Sequence, residues 1–203
     1  SVAVRDLEMR GAGNLLGSDQ SGFAQQIGLD AYMRLLRKTV DGIQKGAEQP
    51  EWPDPDVSMP GPAYLPEEYV ADSSQKLHLY RRLSRVAGRP EVEALRLELK
   101  DRFGKVPTEV ERLLDAAIVR SLGKTLGVER ILVKESSARV TFRSGVVPRM
   151  AVLEGPLRQR QAEVEIRRME PFSIVLKQVG IEPILETLMV ALDALRSAHA
   201  AAA

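Results

Sequence analysis

The chain has 203 residues, 44% of them apolar and 28% charged, enough apolar material for one sizeable core with an appendage. Its 29 basic and 28 acidic residues leave a net charge of +1, which denies it any long-range pull on a polyanion and confines nucleic-acid affinity to a local patch. There is no cysteine, which excludes disulfides and thiolate metal sites and fits a reducing cytoplasm; no apolar run approaches a membrane span, and no signal-peptide pattern opens the sequence.

The first segment, Val4 to Gly22, reads as a helix closed by glycines. Asp6 stands four residues before Arg10, the spacing at which opposite charges meet on one helix side. Gly11 and Gly13 then predict a C-cap and turn, Leu15 and Leu16 re-enter an apolar surface, and Ser18 to Gly22 form a polar loop. Gly11, Gly13 and Gly17 do not make a dinucleotide fingerprint, because the third glycine falls one residue late and no apolar strand precedes the first. A phosphate loop is excluded too, since no Gly-Lys-Ser/Thr follows.

Ile27 to Gly46 predicts a long helix with one apolar stripe (Leu29, Tyr32, Met33, Leu36, Val40, Ile43) and the outward pairs Asp30/Arg34 and Asp41/Lys45. From Ala47 to Pro62 the chain reads as a linker, because five prolines between Pro50 and Pro62 oppose an interior helix or strand. Trp52 is there either an anchor on a surface or incidental packing, and Asp54, Asp56, Glu67 and Glu68 read as solvated charges rather than acid/base dyads.

The following domain, residues 63–198, opens with an extended piece over Ala63 to Val70. Three helices follow. Asp72 to Ala87 buries Leu77, Tyr80, Leu83 and Val86; Glu91 to Phe103 buries Val92, Leu95, Leu99 and Phe103. The third opens on a capping box, Thr108 with Glu111, and carries Val110, Leu113, Leu114, Ala117, Ile118 and Leu122 up to Gly127. The period then changes from helical to alternating. Glu129–Lys134 and Ala138–Arg143 predict a hairpin, Pro148 a short helix broken at Gly155-Pro156, and Val164 to Leu176 a second strand pair around Glu170-Pro171. Ile181 to Arg196 is the last helix, and residues 199–203 should fray.

Little here carries chemistry. His78 and His199 share no ligand spacing with each other or with carboxylates, so neither a metal site nor a catalytic residue is expected. Arg81, Arg82 and Arg85, with Arg89 beyond, form one basic cluster; Arg158, Arg160, Arg167 and Arg168 form another. Each suits phosphates, an acidic protein face, or nothing but solvent.

The run RDLEMRGAGNLLGSDQSG resembles the translocation motif of two bacterial duplex-DNA motors, the transcription-repair coupling factor and the RecG branch-migrating helicase. The segments IGLDAYMRLLRKTVDGIQKG, LPEEYVADSSQKLHLYRRLS and ELKDRFGKVPTEVERLLDAA are similar to the C-terminal part of the coupling factor in particular. The resemblance implies an α+β arrangement: a helical hairpin and hook helix from the motor (1–46), the Pro-rich linker (47–62), and a regulatory domain of four to five helices with a small, mostly antiparallel sheet (63–198). It makes Arg10 and Gln20, with Gly11 and Gly13, the residues coupling ATP hydrolysis to movement. It implies a parent that uses ATP and Mg to displace stalled RNA polymerase on double-stranded DNA in the cytoplasm, while this stretch itself binds no cofactor. The terminal domain would mask the parent's own N-terminal module for UvrA, the damage-recognition ATPase of excision repair, with Arg81, Arg82 and Arg85 as the candidate surface. The alternative is a DNA-binding accessory module of a branched-DNA helicase that uses both arginine clusters.

Overall fold

In a computed structural model, residues 52–179 and 183–201 are described. The expected hairpin, hook helix and coupling residues Arg10, Gly11, Gly13 and Gln20 lie outside them. The described residues form an α+β fold built on one five-stranded sheet. In chain order the elements are β1 (Asp56–Ser58), α1 (Ser73–Arg85), α2 (Arg89–Phe103), α3 (Thr108–Thr125), β2 (Val128–Val133), β3 (Ser137–Phe142), a 3-10 turn (Met150–Leu153), α4 (Glu154–Gln159), β4 (Ala162–Arg167), β5 (Ser173–Gln178) and α5 (Ile184–Ala200).

The strands lie in the order β1-β2-β3-β5-β4. Both expected hairpins form. Ile131 pairs with Val140 and Val133 with Ala138 across β2 and β3, and Val164 pairs with Leu176 and Ile166 with Ile174 across β4 and β5. They join through β5, which lies antiparallel to β3. Because paired residues point to the same side of a sheet, Val57, Ile131, Val140 and Ile174 form one apolar row, and Ala138 and Leu176 belong to the next. All six are buried. The helices α3 and α5 pack against this face and against each other, while α1 and α2 pack on α3.

The helix α3 is the centre of the core. Its first half is amphipathic as predicted, but every residue from Ala117 to Gly123 is buried, Arg120 and Ser121 included. Gly127, at φ +66°, turns the chain out of α3 into β2.

Several sequence expectations are corrected. The region 52–62 is not a free linker: β1 lies within it, runs parallel to β2, and sets Val57 into the core. The prolines forbid an interior strand, but β1 is a three-residue edge strand, where a missing N–H is tolerated. The capping box is not made: Pro107 is the N-cap of α3, no side chain caps it, and the Glu111 carboxylate is bonded to Arg96 instead. On α1 the buried pair is Leu79 and Leu83, whereas the expected Leu77 is only half-buried. Gly155-Pro156 does not break its helix, because both residues sit in the first turn of α4, where proline's absent N–H is an orphan anyway. The last helix starts at Ile184 after Pro183 and continues through His199 and Ala200, residues expected to fray.

Candidate functional site

No group of three or more His, Cys, Asp or Glu among the described residues is placed to hold a metal ion. What the fold positions instead is charge, in two networks on opposite sides of α2 and a third where the chain enters the domain.

On the side of α2 facing α1, Arg82 approaches Glu98 to 2.7 Å and Arg102 approaches the same carboxylate to 2.9 Å. Arg102 also donates to the Gln75 side chain at 3.0 Å and stands 4.9 Å over the Phe103 ring. Two guanidiniums against one carboxylate hold Glu98 far below the usual range, at about 2, with the Arg82 hydrogen bond as the largest cause. Toward α3 the stoichiometry inverts. Arg96 is shared among Glu93, Glu111 at 2.7 Å and Asp115 at 3.0 Å. Burial pushes the Asp115 carboxyl up to about 6, ahead of the opposing pull of Arg96, whose single charge is divided among three acids.

Ion pairing, not helix direction, divides the candidate cluster. Residues three and four apart are neighbours on a helix surface, so Arg85 stands near both Arg81 and Arg82. Arg81 and Arg85 are exposed and make no ion pair among the described residues; Arg82 is committed to Glu98 inside the domain. Arg89 reaches Glu186 at 3.8 Å and the Met189 sulfur at 3.3 Å, joining α2 to α5. The second cluster is also divided, with Arg158 on α4 paired to Glu154 at 2.7 Å and Arg167 on β4 paired to Glu165 at 3.0 Å. Arg160 and Arg168 lie beyond the ends of those elements. His78 is exposed on α1 and His199 sits in the last turn of α5, far apart in sequence and near no ligand group.

Sequence reasoning missed the third network. Arg120, almost fully buried on α3, donates to the Leu83 carbonyl and stands 3.7 Å from Asp54; Lys124 reaches the same carboxylate at 3.8 Å. Asp54 is therefore not the solvated charge its sequence context implied. Leu83 lies in the last turn of α1, where carbonyls lack helical partners, so the guanidinium satisfies an orphan acceptor and complements the helix end together. Arg143 donates to the Pro53 carbonyl at 3.2 Å, and the Trp52 ring lies against Gly127, where a side chain would meet it at 3.2 Å. The only available signal was an arginine at a position that helical period assigns to the core.

A family model described as TRCF domain matches residues 59–151. Over 140 residues the chain is 42% identical to the transcription-repair-coupling factor of Myxococcus xanthus, and over 147 residues 35% identical to that of Escherichia coli strain K12; these alignments take in 66% and 70% of the chain. The chain belongs to the transcription-repair coupling factor family. It spans about an eighth of the length of those relatives, 12% and 13%. The fold is similar to a crystal structure of the C-terminal domain of a transcription-repair coupling factor, with a TM-score of 0.61 at 23% identity over 71% of this chain and 92% of that one. The coupling-factor resemblance read from LPEEYVADSSQKLHLYRRLS and ELKDRFGKVPTEVERLLDAA thus falls within the matched domain. No helix among the described residues is long and apolar enough to cross a membrane.

Proposed function

We propose that this chain is the C-terminal part of an ATP-dependent double-stranded DNA translocase that removes stalled RNA polymerase and couples transcription to nucleotide excision repair. Its α+β domain acts as an autoinhibitory clamp over the parent's N-terminal UvrA-binding module. The match to the TRCF domain carries this reading. In the same reading Arg10 and Gln20 couple ATP hydrolysis to translocation, and the ATP and Mg they answer to belong to the parent's motor.

The clamp surface is then narrower than the sequence implies. Arg81 and Arg85 offer free cations to an acidic partner face, whereas Arg82 stays with Glu98. The competing DNA-module reading loses support, because Arg158 and Arg167 are already neutralised and the two clusters lie on separate elements.

Removal of the domain in the full-length parent, with the cut before Trp52 so that β1 leaves with its sheet, should raise affinity for UvrA, since a tethered domain competes at high effective concentration. Affinity that stays flat overturns the clamp. Reversing Arg81 and Arg85 together to glutamate should reproduce part of the rise. A duplex-DNA titration of the 203-residue chain should show weak binding with a shallow salt slope, and a steep slope would restore the DNA reading.

A further inference from the structure

The seam where α2, α3 and the first turn of α5 meet holds more carboxylates than cations. Arg96 on α2 serves three acids at once: Glu93 on its own helix, Glu111 on α3 at 2.7 Å and Asp115 on α3 at 3.0 Å. A fourth, Glu186 in the first turn of α5, has Arg89 at 3.8 Å, a loose approach in which the Arg89 Nε is buried without a hydrogen-bond partner among the described residues. Arg112 precedes Asp115 by three residues on α3, but its guanidinium lies over Gly61 and does not make up the deficit. With every group ionised, these four carboxylates share two guanidiniums.

Asp115 is the member of this group least suited to carry its charge. Only 21% of its side chain is exposed, against 41% for Glu111, 44% for Glu93 and 46% for Glu186. Its charged neighbours among the described residues come from all three helices, with Arg96 on α2 opposed by Glu111 on α3 and Glu186 on α5. Arg96 is meanwhile bonded to Glu93 and Glu111 as well. Burial is the largest cause, Arg96 opposes it, and Glu111 and Glu186 add to it, so that the carboxyl is pushed up to about 6.

A carboxyl raised above its unfolded value of about 3.9 binds its proton more tightly in the folded state. The folded domain therefore holds more protons than the unfolded chain between about pH 4 and 6, so stability rises as pH falls across that window and is lowest above it. We propose that Asp115 is a proton-operated latch for α5: when charged it repels Glu186 across the contact between α3 and α5, and when protonated it lets the first turn of α5 close on α3. Arg96 then serves Glu93 and Glu111 alone. Because α5 also packs on β3, β5, α4 and the 3-10 turn, its seat decides how this part of the helical layer lies on the sheet.

The latch is independent of the clamp, since it uses neither Arg81 nor Arg85. Its test is to melt the 203-residue chain between pH 5 and 7.5 beside Asp115→Asn, which keeps a neutral polar group toward Arg96 at every pH and leaves both histidines in place. Asp115→Asn should melt about 2–4 °C higher than the unsubstituted chain at pH 7.5, and the two should converge near pH 5. Carbon NMR of the Asp115 carboxyl in the unsubstituted chain should give a midpoint near 6 that falls in Glu186→Gln. Amide protection in α5, corrected for the intrinsic exchange rate, should rise from pH 7.5 to 5.5 in the unsubstituted chain and not in Asp115→Asn. A lower melt of Asp115→Asn at pH 7.5, a carboxyl midpoint below about 4.5 or indifferent to Glu186→Gln, or α5 protection equal at the two pH values would each overturn the latch.

Discussion

The sheet has two edges, and they are secured in opposite ways. β4 offers six residues, all laddered to β5, yet its pattern is mostly exposed and its Ile166 is 37% accessible. β1 has three residues in a proline-rich run, yet it carries Val57 into the core and is flanked by Asp54 at a buried guanidinium, Pro53 bonded to Arg143 and Trp52 against Gly127. Ladder length therefore does not measure how firmly an edge is held. β4 is an edge of hydrogen bonds screened by Glu163, Glu165 and Arg167, the charged dressing that discourages pairing with another chain. β1 is an edge of side-chain anchors, and it is the one through which the rest of the chain enters the domain.

The comparison breaks most sharply at Arg120. Arg120→Ala should remove the partner of the Leu83 carbonyl and the buried guanidinium beside Asp54, at a cost of about 3 kcal/mol. Arg120→Met keeps the buried stem and should recover part of that loss. Denaturant melts of both variants measure it, and the fluorescence of Trp52, the single tryptophan of the chain, reports whether the β1 anchor loosens with them. If stability falls while Trp52 emission is unmoved, Arg120 serves α1 and α3 without holding the incoming segment.

A second, smaller effect is expected at Gly127. Its φ of +66° is a conformation other residues avoid, and a Cβ there would stand 3.1 Å from the Val146 side chain and 3.2 Å from Trp52. Gly127→Ala should cost about 1–2 kcal/mol through backbone strain and displaced contacts. Because Trp52 is the movable neighbour, the same change should shift its emission toward that of a solvated indole. A stable variant with unchanged emission would mean that the indole is not packed where the structure puts it.

The legibility of the two edges was also opposite. β4 and β5 showed themselves through alternation, Val164 and Ile166 against Glu163 and Glu165, and Phe172, Ile174 and Leu176 after the turn. β1 is too short for any period, and Pro53, Pro55 and Pro60 around it argue against a strand unless tertiary contacts decide otherwise. The long helices were legible because their stripes span three or more turns, and the end of α3 because only glycine fits its turn at Gly127. The capping box failed for a physical reason: Glu111 finds a guanidinium, and that partner outbids a backbone amide. The charge partners of Arg82, Arg96 and Arg120 were illegible, since each pairs with residues from another element that only packing brings near. The coupling role expected of Arg10 and Gln20 came from the resemblance of their segment to a translocation motif, and both lie outside the described residues.

The smallest effect belongs to the other edge. Glu165 on β4 takes Arg167 at 3.0 Å and Lys177 at 3.1 Å, the densest ion cluster on that side, and its carboxyl is held below the ordinary range first by the hydrogen bond from Lys177 and then by that from Arg167. A carboxylate with a depressed folded-state pKa contributes stability that is present above its unfolded value and lost as pH falls through the folded one. Here all three side chains stand in solvent, with accessibilities of 43–52%, so screening removes most of the attraction. Glu165→Gln should thus leave the neutral-pH melt unchanged within error and only flatten a slight loss below about pH 4, and added salt should erase even that difference. The loss in Arg120→Ala, by contrast, should persist at high salt, because its pair is shielded from ions by the core. A salt-sensitive Arg120 variant, or a Glu165 variant that destabilises at neutral pH, would reverse the assignment of which edge is anchored and which is merely dressed.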